Sequence, residues 1–224
     1  SIDTIIDQGM KALDIVAVKK AMAEDVLLLD TRHADLFTQG FIPGSVSIGL
    51  EGRFAEWAGS LLPFDKPMIL VTDEGKEKET IVRLARVGFE KVIGYVAGGF
   101  DAWKNSGEEI DLIIDVEADE VAMDLPFDDR IIIVDVRKPT EFADGHVKNA
   151  LNIPLAEMTD PINIARFEED DNIYVHCGGG YRSVIAVSLM KKQGLHNLRN
   201  ILGGWAKIKE EKRIPTEKEK SVLN

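Results

Sequence analysis

The sequence predicts an α/β protein built from two tandem copies of one small three-layer domain, each a mainly parallel sheet flanked by helices. Three observations carry this prediction. An internal repeat is visible by inspection: Leu29-Asp30-Thr31-Arg32 recurs as Val134-Asp135-Val136-Arg137, Phe37-Thr38-Gln39-Gly40 as Phe142-Ala143-Asp144-Gly145, and Val96-Ala97-Gly98-Gly99-Phe100 as Ile201-Leu202-Gly203-Gly204-Trp205, each pair 105 positions apart. A repeat of that length is a domain rather than a solenoid unit. Short runs rich in Val, Ile and Leu alternate with helical patterns within each copy. Those runs are apolar throughout instead of alternating with polar residues, as strands of a parallel sheet covered on both faces are.

Taken in order, the first copy has expected strands over residues 26–29, 68–71 and 91–95 and a helix over 80–87. The second has strands over 131–134, 172–176 and 197–201 and a helix over 183–192. The copies divide as 1–106 and 107–224, joined near 105–111, and the charged stretch 209–224 reads as a solvated helix end followed by a frayed tail.

Composition narrows the partners. With 39 acidic against 27 basic residues, the chain carries a formal net charge of −12, which disfavours nucleic acid and acidic membrane surfaces. No run is long or apolar enough to span a membrane, and Ser1-Ile2-Asp3-Thr4 has no signal-peptide pattern. The single cysteine rules out an internal disulfide, and a reducing cytoplasm is the simplest setting for it. Only four scattered histidines are present, so no metal site and no cofactor are expected.

That cysteine lies in Val175-His176-Cys177-Gly178-Gly179-Gly180-Tyr181-Arg182-Ser183: a strand, a nucleophile, a glycine loop, an arginine and an apolar helix. A lone cysteine at a strand end is ordinarily a small buried hydrophobe. Here three consecutive glycines follow it, each costing roughly 1 kcal/mol relative to alanine in regular structure. Glycines turn tightly enough to aim backbone N–H groups at one point, and such a nest at a helix N-terminus holds negative charge. Cys177 and Arg182 are therefore the candidate catalytic residues, with Gly178, Gly179, Gly180, Tyr181 and Ser183 as the candidate substrate-binding loop. Tyr181 either lines the rim or covers the following helix.

Other polar residues read as structural. Asp135 and Arg137 are expected to form an ion pair that fixes the turn after their strand, since they recur as Asp30 and Arg32 in the copy without a cysteine. His146 is expected in a loop against the sheet. His176 is a weak candidate base, because it should point to the opposite side of its strand from Cys177. In the first copy, Leu70-Val71-Thr72-Asp73-Glu74-Gly75-Lys76 places Asp73 at the cysteine position with one glycine in place of three, so that copy reads as catalytically silent.

The second copy resembles the rhodanese family of sulfurtransferases. Ile131-Ile132-Ile133-Val134-Asp135-Val136-Arg137 is similar to its central strand and Asp-x-Arg turn, Glu141-Phe142-Ala143-Asp144-Gly145-His146-Val147 to its Glu-Phe-x-x-Gly-His segment, and Leu202-Gly203-Gly204-Trp205 to its closing turn. The resemblance implies sulfur transfer through a persulfide on Cys177, from thiosulfate or a thiol persulfide to a thiol or cyanide acceptor. Cys-x4-Arg is the loop length of the sulfur-handling members, whereas rhodanese-fold phosphatases use Cys-x5-Arg. A phosphatase or arsenate reductase, and a non-catalytic interaction or regulatory module, are the alternatives. Gly178-Gly179-Gly180-Tyr181 lacks the additional basic residues that thiosulfate-selective members often carry, so the resemblance implies a persulfide donor as well as thiosulfate. Phe54-Ala55-Glu56-Trp57-Ala58-Gly59-Ser60-Leu61-Leu62-Pro63-Phe64-Asp65-Lys66-Pro67 resembles the silent rhodanese domain that follows a metallo-β-lactamase-fold persulfide dioxygenase in certain bacterial fusion proteins. A domain of that fold is thus an expected neighbour in the parent protein.

Overall fold

A computed structural model describes residues 1–220. Its strands are β1 (Ala12–Leu13), β2 (Leu27–Asp30), β3 (Val46–Ser47), β4 (Met68–Val71), β5 (Val92–Val96), β6 (Ile114–Val116), β7 (Ile131–Asp135), β8 (His146–Val147), β9 (Leu151–Asn152), β10 (Asn172–His176), β11 (Leu198–Ile201) and β12 (Thr216–Glu217). Ten of these form two five-stranded sheets of identical topology, β1-β5-β4-β2-β3 and β6-β11-β10-β7-β9, in which every neighbouring pair is parallel.

The apolar runs become the middle of each sheet. Every residue of β2 and β4 is buried, because helices cover both faces and leave no solvent side for polar residues to occupy. The helix Tyr181–Lys192 is buried at every position from Ser183 to Met190, so it has no polar stripe over that stretch. Its counterpart Glu77–Arg86 buries only Thr80, Ile81 and Leu84 and is amphipathic in the usual way.

The chain divides into two compact units, Ser1–Leu112 and a second from Ile113. Residues 107–112 are held by the first unit: Phe41 and Asp111 exchange backbone hydrogen bonds of 2.9 Å, and the Trp103 indole donates to the Glu109 carbonyl at 2.8 Å.

The stretch expected to be a frayed tail is in part ordered. Residues 221–224 lie outside the described residues, but Ile214 is buried and β12 pairs antiparallel with β8. Lys148 N–H donates to the Pro215 carbonyl and Glu219 N–H to that of Ala143, both at 2.9 Å. The β-branched Ile214 and Thr216 supply an apolar anchor and a strand former inside a segment whose charge suggested solvation.

Candidate active site

Cys177 follows directly on β10, the central strand of the second sheet, where an open parallel sheet places ligands beyond its carboxyl edge. Four residues, Cys177 to Gly180, separate the strand from the helix Tyr181–Lys192. The cysteine is 1% exposed. Its Sγ accepts the Gly180 N–H at 3.0 Å and lies 3.5 Å from the Ser183 hydroxyl, which in turn bonds to the Gly180 carbonyl at 3.4 Å.

The three glycines have different roles. Gly180 caps the helix at φ +112°, where a side chain is strained, and this conformation turns its amide onto the sulfur. A Cβ on Gly178 would sit 3.0 Å from Arg182 Nη2. At Gly179 a Cβ would meet nothing within 4 Å, so neither space nor conformation demands glycine there. Tyr181 is the first residue of the helix and half-buried.

A second turn braces the loop from behind. Trp205 N–H donates to the Cys177 carbonyl at 2.7 Å and Ala206 N–H to that of Gly178 at 3.2 Å. This approach is possible because Gly204 has no side chain: a Cβ there would lie 2.2 Å from the Cys177 carbonyl oxygen. The family-like Gly-Gly-aromatic signature is thus a device for holding the cysteine loop.

Arg182 makes a bidentate pair with Glu141, Nη1 to Oε1 at 2.7 Å and Nη2 to Oε2 at 3.1 Å. Glu141 sits on the short helix Pro139–Ala143, and its Oε1 also accepts the Lys138 N–H at 3.1 Å. The Arg182 hydrogen bonds hold the Glu141 carboxyl at about 2, against the smaller opposing effect of burial, so it is ionised throughout the physiological range. In the sequence Glu141 stands only as the first residue of the Glu-Phe-x-x-Gly-His segment, outside the expected site. The motif was the one available signal, because the two partners stand 41 positions apart.

Behind the loop lies a buried ion pair. Arg137 Nε and Nη2 engage both oxygens of Asp135, and Nη2 also donates to the Gly145 carbonyl at 2.7 Å while the guanidinium lies 4.8 Å from the Trp205 ring centre. The first unit repeats this geometry with Asp30, Arg32, Gly40 and Phe100. His146, in β8, stacks on Phe142 and contacts the Phe142 carbonyl at 2.7 Å and Glu217 at 3.3 Å.

His176 is fully buried, with Nδ1 3.0 Å from the Cys177 carbonyl and Nε2 3.5 Å from Asp135 Oδ2. A carbonyl only accepts, so Nδ1 carries the proton and the ring positions the backbone of Cys177, not its sulfur. Burial pushes the His176 pKa below its ordinary 6.5, outweighing the pull of Asp135. The unfolded chain therefore binds a proton near pH 6.5 that the folded chain refuses, and stability falls as pH drops below that value, by up to ~1.4 kcal/mol per pH unit for one proton. His176→Asn keeps a donor at the Nδ1 position and cannot titrate. Urea midpoints of the two proteins measured from pH 8 to pH 5 should diverge, with the variant showing the shallower decline.

The first copy departs from expectation in one detail. Register places Thr72, not Asp73, at the cysteine position: Val71 pairs with Asp30 as His176 pairs with Asp135, and a Cβ on Gly99 would approach the Thr72 carbonyl as one on Gly204 would approach that of Cys177. Asp73 matches only by counting back from the helix. The loop from Thr72 to Lys76 is one residue longer than that from Cys177 to Gly180, which hides the offset. Its positive φ falls on Gly75, whereas the capping residue Lys76 has φ −99°. Neither Thr72→Cys nor Asp73→Cys should therefore restore turnover to a Cys177→Ser protein, as assayed by persulfide formation on the grafted thiol. Activity above the Cys177→Ser background would show that the capping geometry of Gly180 is dispensable.

Among the described residues no group of three or more His, Cys, Asp or Glu is arranged to hold a metal ion, and no helix is long and apolar enough to cross a membrane.

A family model described as the Rhodanese-like domain matches residues 15–106 and 117–211. The Bacillus subtilis protein YqhL is 36% identical over 75 residues, covering 34% of this chain and 58% of that protein, so this chain spans little more than half of YqhL. A sulfurtransferase of Allochromatium vinosum is 26% identical over 99 residues, covering 43% of this chain and 91% of that protein. The thiosulfate sulfurtransferase PspE of Escherichia coli is 33% identical over 70 residues, covering 31% of this chain and 67% of that protein.

Proposed function

We propose that this chain, which belongs to the rhodanese-like domain family, transfers sulfane sulfur through a persulfide on Cys177. The observation that carries the reading is the Gly180 amide 3.0 Å from Cys177 Sγ at the N-terminus of a helix, an arrangement that stabilises a sulfur anion both before and after it is loaded. In the first half-reaction the thiolate attacks the outer sulfur of a donor, forming the Sγ–S bond as the donor's S–S bond breaks and its electron pair leaves with the inner sulfur. In the second, an acceptor thiolate or cyanide attacks that outer sulfur and Cys177 departs as thiolate. The sulfur moves without net oxidation or reduction.

The first copy fits a supporting role, because neither Thr72 nor Asp73 can carry a sulfane sulfur. The likeness of residues 54–67 to the silent domain of persulfide dioxygenase fusions suggests a metallo-β-lactamase-fold domain as the source of, or sink for, the persulfide. The deciding assay is thiocyanate formation from cyanide with thiosulfate and, separately, with glutathione persulfide, alongside hydrolysis of a phosphate ester. Thiocyanate from either donor without ester hydrolysis is the expected result. Ester hydrolysis without thiocyanate would move the reading to a phosphatase, and inactivity in all three arms would move it to an interaction module.

A further inference from the structure

We propose that Glu141 sets the donor preference of the Cys177 loop: by engaging the loop's only cation, it selects persulfides against the dianion thiosulfate. This deepens the sulfur-transfer reading and rests on it. Between Cys177 and Ser183 the one basic residue is Arg182. A guanidinium presents a planar fork suited to two oxygens of a sulfonate. Here the Nη1–Nη2 edge of that guanidinium is already closed on both oxygens of Glu141, at 2.7 and 3.1 Å, and its charge is paired.

The position of the pair gives it influence over an incoming donor. A Cβ on Gly178, the residue after the cysteine, would lie 3.0 Å from Arg182 Nη2 and 4.0 Å from Glu141 Oε2. The two side chains are 22% and 37% exposed, so they stand at the mouth of the loop and not beneath it. The nearby Arg137 offers no replacement, being 4% exposed and engaged by Asp135 and the Gly145 carbonyl. Thiosulfate must therefore bring two negative charges toward a thiolate past an intact carboxylate, on a protein already at −12.

A persulfide avoids that cost. For R–S–SH, the Cys177 thiolate bonds to the terminal sulfur, the R–S bond to that sulfur breaks, and the inner sulfur takes the electron pair and the proton to leave as R–SH. The product is the Cys177 persulfide anion. At the reacting sulfurs one negative charge enters the step and one remains; the carboxylates of a glutathione donor lie several bonds from those sulfurs, whereas both charges of thiosulfate sit on the reacting group itself.

The test measures the rate of Cys177 persulfide formation, by mass spectrometry of the intact chain, with glutathione persulfide and with thiosulfate. Glu141→Gln should shift the ratio of the two kcat/KM values at least tenfold toward thiosulfate, mainly through a lower KM for thiosulfate. Adding Arg182→Gln to that variant should remove the gain, since the effect works by freeing Arg182. An unchanged ratio in Glu141→Gln overturns the proposal, as does a gain that persists in the double variant. A further measurement needs no variant: thiosulfate loading of the wild type should accelerate with ionic strength as salt screens the repulsion, and a slowing would mean that a free cation captures the dianion. Failure of both donors to load the wild type would instead overturn the sulfur-transfer reading itself.

Discussion

Cys177→Ser is expected to lower sulfur transfer by at least about a thousandfold while leaving a folded protein, because the reaction is routed through a bond that a hydroxyl oxygen cannot make. Serine is close in size to cysteine, and the groups around Sγ suit it: the Gly180 N–H at 3.0 Å donates to an oxygen as readily as to a sulfur, and the Ser183 hydroxyl is at 3.5 Å. With partners for the new polar atom, the stability change should stay below about 2 kcal/mol despite burial. Two measurements check this together. The wild type treated with donor should gain the mass of one sulfur atom on the peptide containing Cys177, and the variant should gain nothing at the same urea midpoint to within that margin. A folded Cys177→Ser protein that still turns over would end the proposal.

The sequence made the fold legible where local and tertiary demands agree. β4 and β10 are bounded as expected because an apolar run between polar residues has one stable use in a sheet covered on both faces. The turn of the loop was legible for a related reason: regular structure disfavours consecutive glycines, and one of the three, Gly180 at φ +112°, does meet a backbone requirement. What the sequence concealed depends on distance or on length. Glu141 meets Arg182 only after the sheet has brought the helix Pro139–Ala143 to the end of β10, and nothing in either segment's own pattern names the other. Thr72 was hidden because counting from the strand and counting from the helix give different answers when one loop is a residue longer. The ordered segment around Ile214 was masked by the charges on either side of it.

Gly204→Ala should be the most damaging single substitution outside the cysteine loop itself. The residue lies at φ +54°, which costs an alanine roughly 1–2 kcal/mol, and its Cβ would fall 2.2 Å from the Cys177 carbonyl oxygen and 2.9 Å from the carbonyl carbons of Cys177 and Gly178. All three are backbone atoms, so relief requires the loop and the closing turn to separate, at a further cost of about 1–3 kcal/mol. Separation also breaks the 2.7 Å bond from Trp205 N–H to the Cys177 carbonyl, and with it the brace that keeps the Gly180 amide aimed at the sulfur. The expected outcome is a melting midpoint lowered by about 10 °C or more together with a loss of Cys177 loading. Gly99→Ala is the internal control. Its φ of +65° is equally unsuited to alanine, but the nearest atom to its Cβ, the Thr72 carbonyl oxygen, is 3.2 Å away. That variant should carry the conformational strain without the collision, with a smaller drop in melting midpoint and sulfur loading retained at Cys177. Equal effects from the two substitutions would mean that backbone strain alone accounts for the glycine pair, and normal loading in Gly204→Ala would remove the closing turn from the catalytic architecture.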